Sequence, residues 1–249
     1  MLIEQQNGLV YETIHRRKNA ASFPVEASAR VITIQDKKFI QMTVRDITER
    51  KRTEESVRKL NRIYAVLSEI NQAIVRNDNI DELFREICRV AVDYGQFRIA
   101  WIGKVDIMTR RVIPVTSAGI VGTALENLFI STEEIPEGMG PTGVAVREKR
   151  CVVCNDVLSD ERMKPWREEA ISNNYRSLAV IPLVTDGRVA YVLNVKVSTP
   201  NFFDKDEIRL LEEIGSDISF ALETMGKEAR RKQSEKDLHI SEERYRGLF

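Results

Sequence analysis

Cys151 and Cys154 stand three positions apart, the C-x-x-C spacing used by thiol–disulfide catalysts. That chemistry needs a helix N-terminus or a neighbouring cation to lower one thiol's pKa. Here the pair brackets Val152 and Val153, which read as a strand. Strand side chains alternate faces, so residues three apart point to opposite sides of a sheet. The same alternation defeats shared metal ligation. No second Cys or His pair completes a zinc site, so no metal is expected. Two readings remain: small apolar strand residues, or a single thiol, Cys151 or Cys154, that lines a pocket or tethers a prosthetic group such as haem.

Gly138-Met139-Gly140-Pro141-Thr142-Gly143 spells G-x-G-x-x-G, the dinucleotide fingerprint. The mechanism behind it requires a buried strand immediately upstream, so that the turn sets a pyrophosphate on a helix N-terminus. The preceding Ser131-Thr132-Glu133-Glu134-Ile135-Pro136-Glu137 is acidic and broken by proline. The motif therefore reads as a structural turn, with Thr142 near the start of a helix over 143–148. The two histidines, His15 and His239, lie outside the central segment, so no Ser-His-Asp or Cys-His arrangement assembles there. His239 is followed by acidic residues, as in kinase dimerisation helices, but no Arg-Thr-Pro continuation follows. Carboxylates are plentiful without an evident acid/base couple. No catalytic residue is assigned, and the chain is expected not to be an enzyme.

A polar and aromatic set is left that a ligand cleft can use: Trp101, Asn155, Asp156, Trp166, Tyr175, Arg176, Ser177 and Asn194. Each alone also fits core packing or loop capping. Carried together on loops over a sheet, they form a candidate ligand-binding cleft.

These residues need elements to place them. A helix is expected over 80–93, started by an Asp78/Asn79 cap, and a further helix-like stretch over 165–172. Strand-like runs occupy 97–105, 112–117, 178–184 and 189–197, the last two flanking Asp186-Gly187, a strong hairpin signal. Apolar residues at helical spacing appear at both ends of this region. They are Val57, Leu60, Tyr64, Leu67 and Ile74, with Asn71 in the same register and Ile63 and Ile70 alongside, on one side, and Leu211, Ile214, Ile218, Leu222 and Met225 on the other. That spacing fits the seam of a two-stranded coiled coil or a helix lying on a sheet. Strands bracketed by helices imply an α+β fold, its antiparallel sheet covered on one face.

Composition narrows the function. The chain has 249 residues with 38 basic and 38 acidic side chains, a net charge of zero, which disfavours a reader of nucleic-acid phosphates. Much of that charge is of mixed sign and sits in 49–55 and 227–236, as on solvated helix faces. No apolar run reaches a membrane-spanning length, no signal peptide is apparent, and three cysteines fit a reducing compartment, so a cytoplasmic location is expected.

Several motifs in order are similar to a known family. Phe97-Arg98-Ile99-Ala100-Trp101-Ile102-Gly103, Gly140-Pro141-Thr142-Gly143, Cys154-Asn155-Asp156, Tyr175-Arg176-Ser177 and the closing Phe202-Phe203-Asp204-Lys205 resemble a GAF domain of the prokaryotic sensor-kinase type. Upstream, Phe23-Pro24-Val25-Glu26 and Val44-Arg45-Asp46-Ile47-Thr48 resemble the C-terminal half of a PAS domain, although Asn19-Ala20-Ala21-Ser22 stands where an Asp-Gly turn is usual. Downstream, Ser241-Glu242-Glu243-Arg244-Tyr245 resembles the opening of another. The Cys-His dipeptide of bilin-attaching GAF domains is absent.

The resemblance implies a domain map of 1–50 partial PAS, 51–62 helical linker, 63–225 GAF, 226–240 helical linker and 241–249 the start of a second PAS domain. It also implies a sensory and signal-relay module of a multidomain signal-transduction protein, a histidine kinase. Such a module binds a small ligand, forms a homodimer through its linker helices, and acts on downstream signalling domains or a response regulator. The alternatives are a haem- or thiol-based redox or gas sensor using Cys151 or Cys154, and a ligand-free dimerisation spacer.

Overall fold

The computed structural model describes residues 8–119, 125 and 128–246. The chain divides into two compact units, Met1–Asn61 and Arg62–Phe249.

In the first unit, β1 (Leu9–Arg16), β2 (Ser22–Ile34) and β3 (Lys37–Asp46) form an antiparallel meander in that order. Gln35 and Asp36 both take positive φ, 49° and 58°, which matches the tight β2–β3 turn to the right-handed twist of its strands. Alternate residues Val25, Ala27 and Ala29 of the central strand are buried. Helix α1 (Thr48–Arg76) follows, its start fixed by Asp46, whose Oδ1 accepts from the Thr48 amide at 2.9 Å. Arg50 ties that start to the sheet through Glu12 at 2.7 Å and Glu26 at 3.1 Å.

The second unit is built on one antiparallel sheet of β4 (Ile99–Asp106), β5 (Arg111–Gly119), β6 (Val152–Cys154), β7 (Ser177–Thr185) and β8 (Arg188–Val197), in the order β5-β4-β8-β7-β6. Asp186 and Gly187, at φ 48° and 73°, make the β7–β8 turn that the sequence predicts. The helices are α2 (Ile80–Asp93), α3 (Pro141–Glu148), α4 (Arg167–Ser172) and α5 (Lys205–Arg246). Asn79 caps α2 by accepting from the amides of Asp81 and Glu82, and Leu83, Phe84, Ile87, Cys88, Val90 and Ala91 form its buried stripe.

Both faces of this sheet are buried, where the sequence led to one covered face. Ala100, Ile102, Ala179, Ile181, Leu193 and Val195 pack against α1, α2 and α5, whereas Ile99, Trp101, Leu178, Val180 and Val192 pack beneath α3 and α4. The reason lies in β7 and β8, which bury consecutive rather than alternate residues.

The two apolar seams also part company. Leu211, Ile214, Ile218 and Leu222 of α5 are at most 3% exposed and sit in the domain's own core, so this seam is not free for a second copy. On α1 the buried residues are Val66, Ile70 and Ala73, while Val57, Leu60 and Tyr64 remain exposed. Arg62 links the two helices: it donates to the Gly95 carbonyl at 3.0 Å, lies over the Phe202 ring, and pairs with buried Glu207 in the first turn of α5. Beyond Glu228 the α5 side chains through His239 are exposed, and pairs such as Arg231 with Glu228 at 2.7 Å line its surface. Of the segment 241–249, the backbone to Arg246 continues α5, and the rest lies outside the described residues.

Candidate functional site

Beneath α3 and α4 the sheet leaves a cavity. It offers about 30 Å³ to the centres of water-sized molecules, and about 360 Å³ counting all atom-free space out through its mouth. Trp101, Asn194 and Lys196 form its floor on β4 and β8. Gly140, Pro141 and Thr142 at the start of α3 form one wall, and Met163, Trp166, Glu169 and Tyr175 another.

Local sequence explains how the two tryptophans of the chain come to lie here. In Trp101-Ile102-Gly103 the ring leans over the glycine, whose Cβ, if present, would stand 2.7 Å from a ring carbon. Gly140 plays the same part for Trp166, since a Cβ there would be 2.4 Å from that indole. Gly140 therefore admits the Trp166 ring, and the turn that carries it walls the cavity. The helix-like stretch at 165–172 is a 3-10 turn (Glu161–Trp166) followed by α4, so Trp166 sits at the junction and swings toward Gly140.

The polar groups form two linked sets. Trp101 and Asn194 are directly opposite each other across β4 and β8. Thr142 Oγ1 donates to Asn194 Oδ1 at 2.9 Å, which orients the carboxamide. Trp101 Nε1 and Asn194 Nδ2 are buried and have no hydrogen-bond partner among the described residues. Two residues along β8, and so on the same face, the Lys196 ammonium meets Glu169 at 3.1 and 3.3 Å and lies 4.1 Å from the Tyr175 ring centroid. Tyr175 donates its hydroxyl to Glu169, and Asn173 Nδ2 donates to the same carboxylate at 3.1 Å. Burial pulls the Lys196 ammonium below its ordinary pKa, with Glu169 opposing. Burial pushes the Tyr175 phenol up, and the Glu169 charge adds to that.

Of the residues singled out in the sequence, Trp101, Trp166, Tyr175 and Asn194 line the cavity. Asn155, Asp156, Arg176 and Ser177 do not; they hold a chain crossing. Asn155 Nδ2 donates to the Phe203 carbonyl at 2.9 Å and its Oδ1 accepts from the Phe203 amide at 3.0 Å. Ser177 donates to the carbonyls of Asn155 and Thr199, and Arg176 pairs with Asp156 at 2.8 Å. That pairing keeps the Asp156 carboxyl below its usual range. Lys196 and Glu169 join them in the structure, and the sequence signal for Lys196 is a lysine two positions after Asn194 in a mainly apolar strand.

Cys151 and Cys154 diverge as strand alternation requires: Cys154 joins the cluster on the cavity side, whereas Cys151 packs with the α5 side. Neither lines the cavity, and one cofactor cannot use both. Burial pushes each thiol up to about 12, with the Glu212 charge adding for Cys151 and Asp160 for Cys154. Since neither thiol reaches the cavity, neither fits as the tether of a haem within it. Among the described residues, no cluster of His, Cys, Asp and Glu could hold a metal ion. None of the described helices is long and apolar enough to cross a membrane.

A five-stranded antiparallel sheet with a cavity on one face and long helices on the other defines an α+β domain. Residues 77–223 match the GAF domain family, and the chain belongs to it. Comparison with curated proteins finds no match. Among solved structures, the chain is similar to free methionine-R-sulfoxide reductase from Neisseria meningitidis in complex with its substrate, at 20% identity and TM-score 0.57, covering 67% of this chain and 91% of that one. The GAF domain of a phosphoenolpyruvate-protein phosphotransferase from Coxiella burnetii is similar at 14% identity and TM-score 0.57, over 70% of this chain and 98% of that one. The corresponding Acinetobacter domain aligns at 15% identity and TM-score 0.54, over 68% and 97%.

The first of these corrects an expectation. The sequence, in which no kinase or cyclase domain is recognisable and no catalytic couple is evident, predicts no enzyme. Reductases from Neisseria meningitidis and Staphylococcus aureus share this fold, so a GAF fold can itself carry catalysis and that exclusion fails.

Proposed function

We propose that this GAF domain is the sensory and signal-relay module of a multidomain signal-transduction protein, a histidine kinase, and that it binds a small ligand in the cavity between Trp101, Trp166, Tyr175 and Asn194. The observation that carries the reading is the position of β8: its Asn194 and Lys196 face the cavity, while Val195 and Val197 pack in the core that holds α1 and α5. A shift of β8 caused by an occupant loads both helices through that core. The three-stranded first unit is read as the C-terminal half of a PAS domain, and the histidine-kinase parentage likewise, on sequence resemblance. Asn155, Asp156, Arg176 and Ser177 act in this reading by holding the start of α5 to the sheet, not by touching ligand.

Native mass spectrometry of freshly purified protein tests it, with a small-molecule thermal-shift screen alongside. A co-purified mass, or hits that raise Tm in the wild type but not in Trp166→Ala, is the expected result. A protein that carries nothing and responds to nothing would sink the ligand-binding part.

A further inference from the structure

The wall of the cavity has a one-sided hydrogen-bonding inventory. Its one carboxylate, Glu169, already accepts from Lys196, Tyr175 and Asn173. The Asn194 carbonyl oxygen accepts from Thr142 at 2.9 Å. What is left over is two donor nitrogens, the Trp101 indole N–H and the Asn194 carboxamide NH2, on residues only 1% and 2% exposed. Buried donors without partners are rare and costly, and two on adjoining strands point to a shared acceptor. Directly opposite residues of an antiparallel pair have Cβ atoms about 4.5–5.5 Å apart, close enough for one oxygen to meet both donors.

Charge restricts the occupant further. The charged lining residues are Lys196 and Glu169, and they neutralise one another at 3.1 Å. The remaining surface is largely apolar, supplied by Ile130, Pro141, Met163 and Leu178 with the two indoles. A net charge brought into this space would find no uncommitted counter-ion and would lose its hydration.

We propose that the cavity selects a small uncharged molecule with a carbonyl-type oxygen, held jointly by Trp101 Nε1 and Asn194 Nδ2. The proposal rests on the ligand-binding reading above and names the chemistry of the ligand. Thr142 acts as a positioning residue, since its hydroxyl holds the Asn194 amide with the nitrogen turned toward the acceptor.

The test uses the full chain labelled with ¹⁵N, in which the two indole N–H resonances are told apart by Trp166→Phe. Three probes of matched shape are titrated: cyclopentanone, methylenecyclopentane, which lacks the acceptor, and cyclopentanecarboxylate, which adds a charge. Cyclopentanone is expected to move the Trp101 indole proton downfield and to bind about tenfold more tightly than either comparator. Trp101→Phe and Asn194→Leu should each weaken cyclopentanone several-fold and leave methylenecyclopentane unchanged. The wild-type series stands without variants, so misfolding of either cannot hide the answer. Equal binding of ketone and hydrocarbon, tighter binding of the carboxylate, or a stationary Trp101 resonance would overturn the acceptor assignment while leaving the cavity a ligand site. If no probe perturbs either indole at tens of millimolar, the ligand-site reading itself falls, and this inference with it.

Discussion

Glycine and tryptophan act in pairs at the cavity: Trp101 over Gly103 and Trp166 over Gly140. A methyl group at position 140 would stand 2.4 Å from the Trp166 ring, and the ring has to move. Gly140→Ala is therefore expected to destabilise the second unit by about 1–3 kcal/mol, read as a lower urea midpoint with an unchanged slope. Part of the cavity-lining chemistry was legible at this scale. Tryptophan, tyrosine and a strand asparagine are conspicuous residue types, so Trp101, Trp166, Tyr175 and Asn194 could be picked from the sequence. Lys196 and Glu169 were hidden because charged residues are common, and only the packing of α4 over β8 makes this pair buried. Asn155 and Ser177 were conspicuous for a different reason, since their side chains bond backbone groups far away in sequence.

At the scale of elements, the crossing after β6 depends on carboxylates. Asp156 and Asp160 are both held below the ordinary aspartate value of 3.8, chiefly by hydrogen bonds from Arg176 and Arg162 respectively. A depressed carboxylate binds fewer protons in the folded state, so its contribution is complete above about pH 3.8 and is lost as pH falls through the lower folded value. Wild-type stability should thus drop between about pH 4 and pH 2, and D156N/D160N should show a shallower drop across that window. Urea unfolding at a series of pH values measures it, and parallel curves would refute the assignment. The strands and helices themselves were largely readable. Asp186-Gly187 fixed the β7–β8 hairpin, and Asn79 marked the start of α2. The covering of the sheet was not readable, because an apolar run such as 177–185 looks alike whether one neighbour or two will bury it.

For the whole molecule, the sequence left a coiled-coil seam and a helix-on-sheet seam open, since both repeat every three to four residues. The fold divides them. The apolar stripe of α5 is spent on its own sheet, whereas Val57, Leu60 and Tyr64 on α1 are 49%, 51% and 68% exposed. A homodimer of this chain is accordingly proposed to form along α1. Sedimentation should show a dimer at micromolar concentrations, converted to monomer by Leu60→Asp with Tyr64→Asp. Ile218 on α5 is no probe of this dimer, because it is fully buried and an acidic residue there would unfold the domain. A wild type that stays monomeric would remove the dimer.

Arg62 gives the molecule a property of its own. One guanidinium holds the incoming helix, the end of α2 and the first turn of the outgoing helix. Arg62 thus joins α1 directly to the first turn of α5, beside the apolar core in which Val66 and Ile70 meet Leu211 and Ile214. If the domain relays a signal as proposed, an occupant of the cavity would adjust a coupling between the two helices that Arg62 has already made.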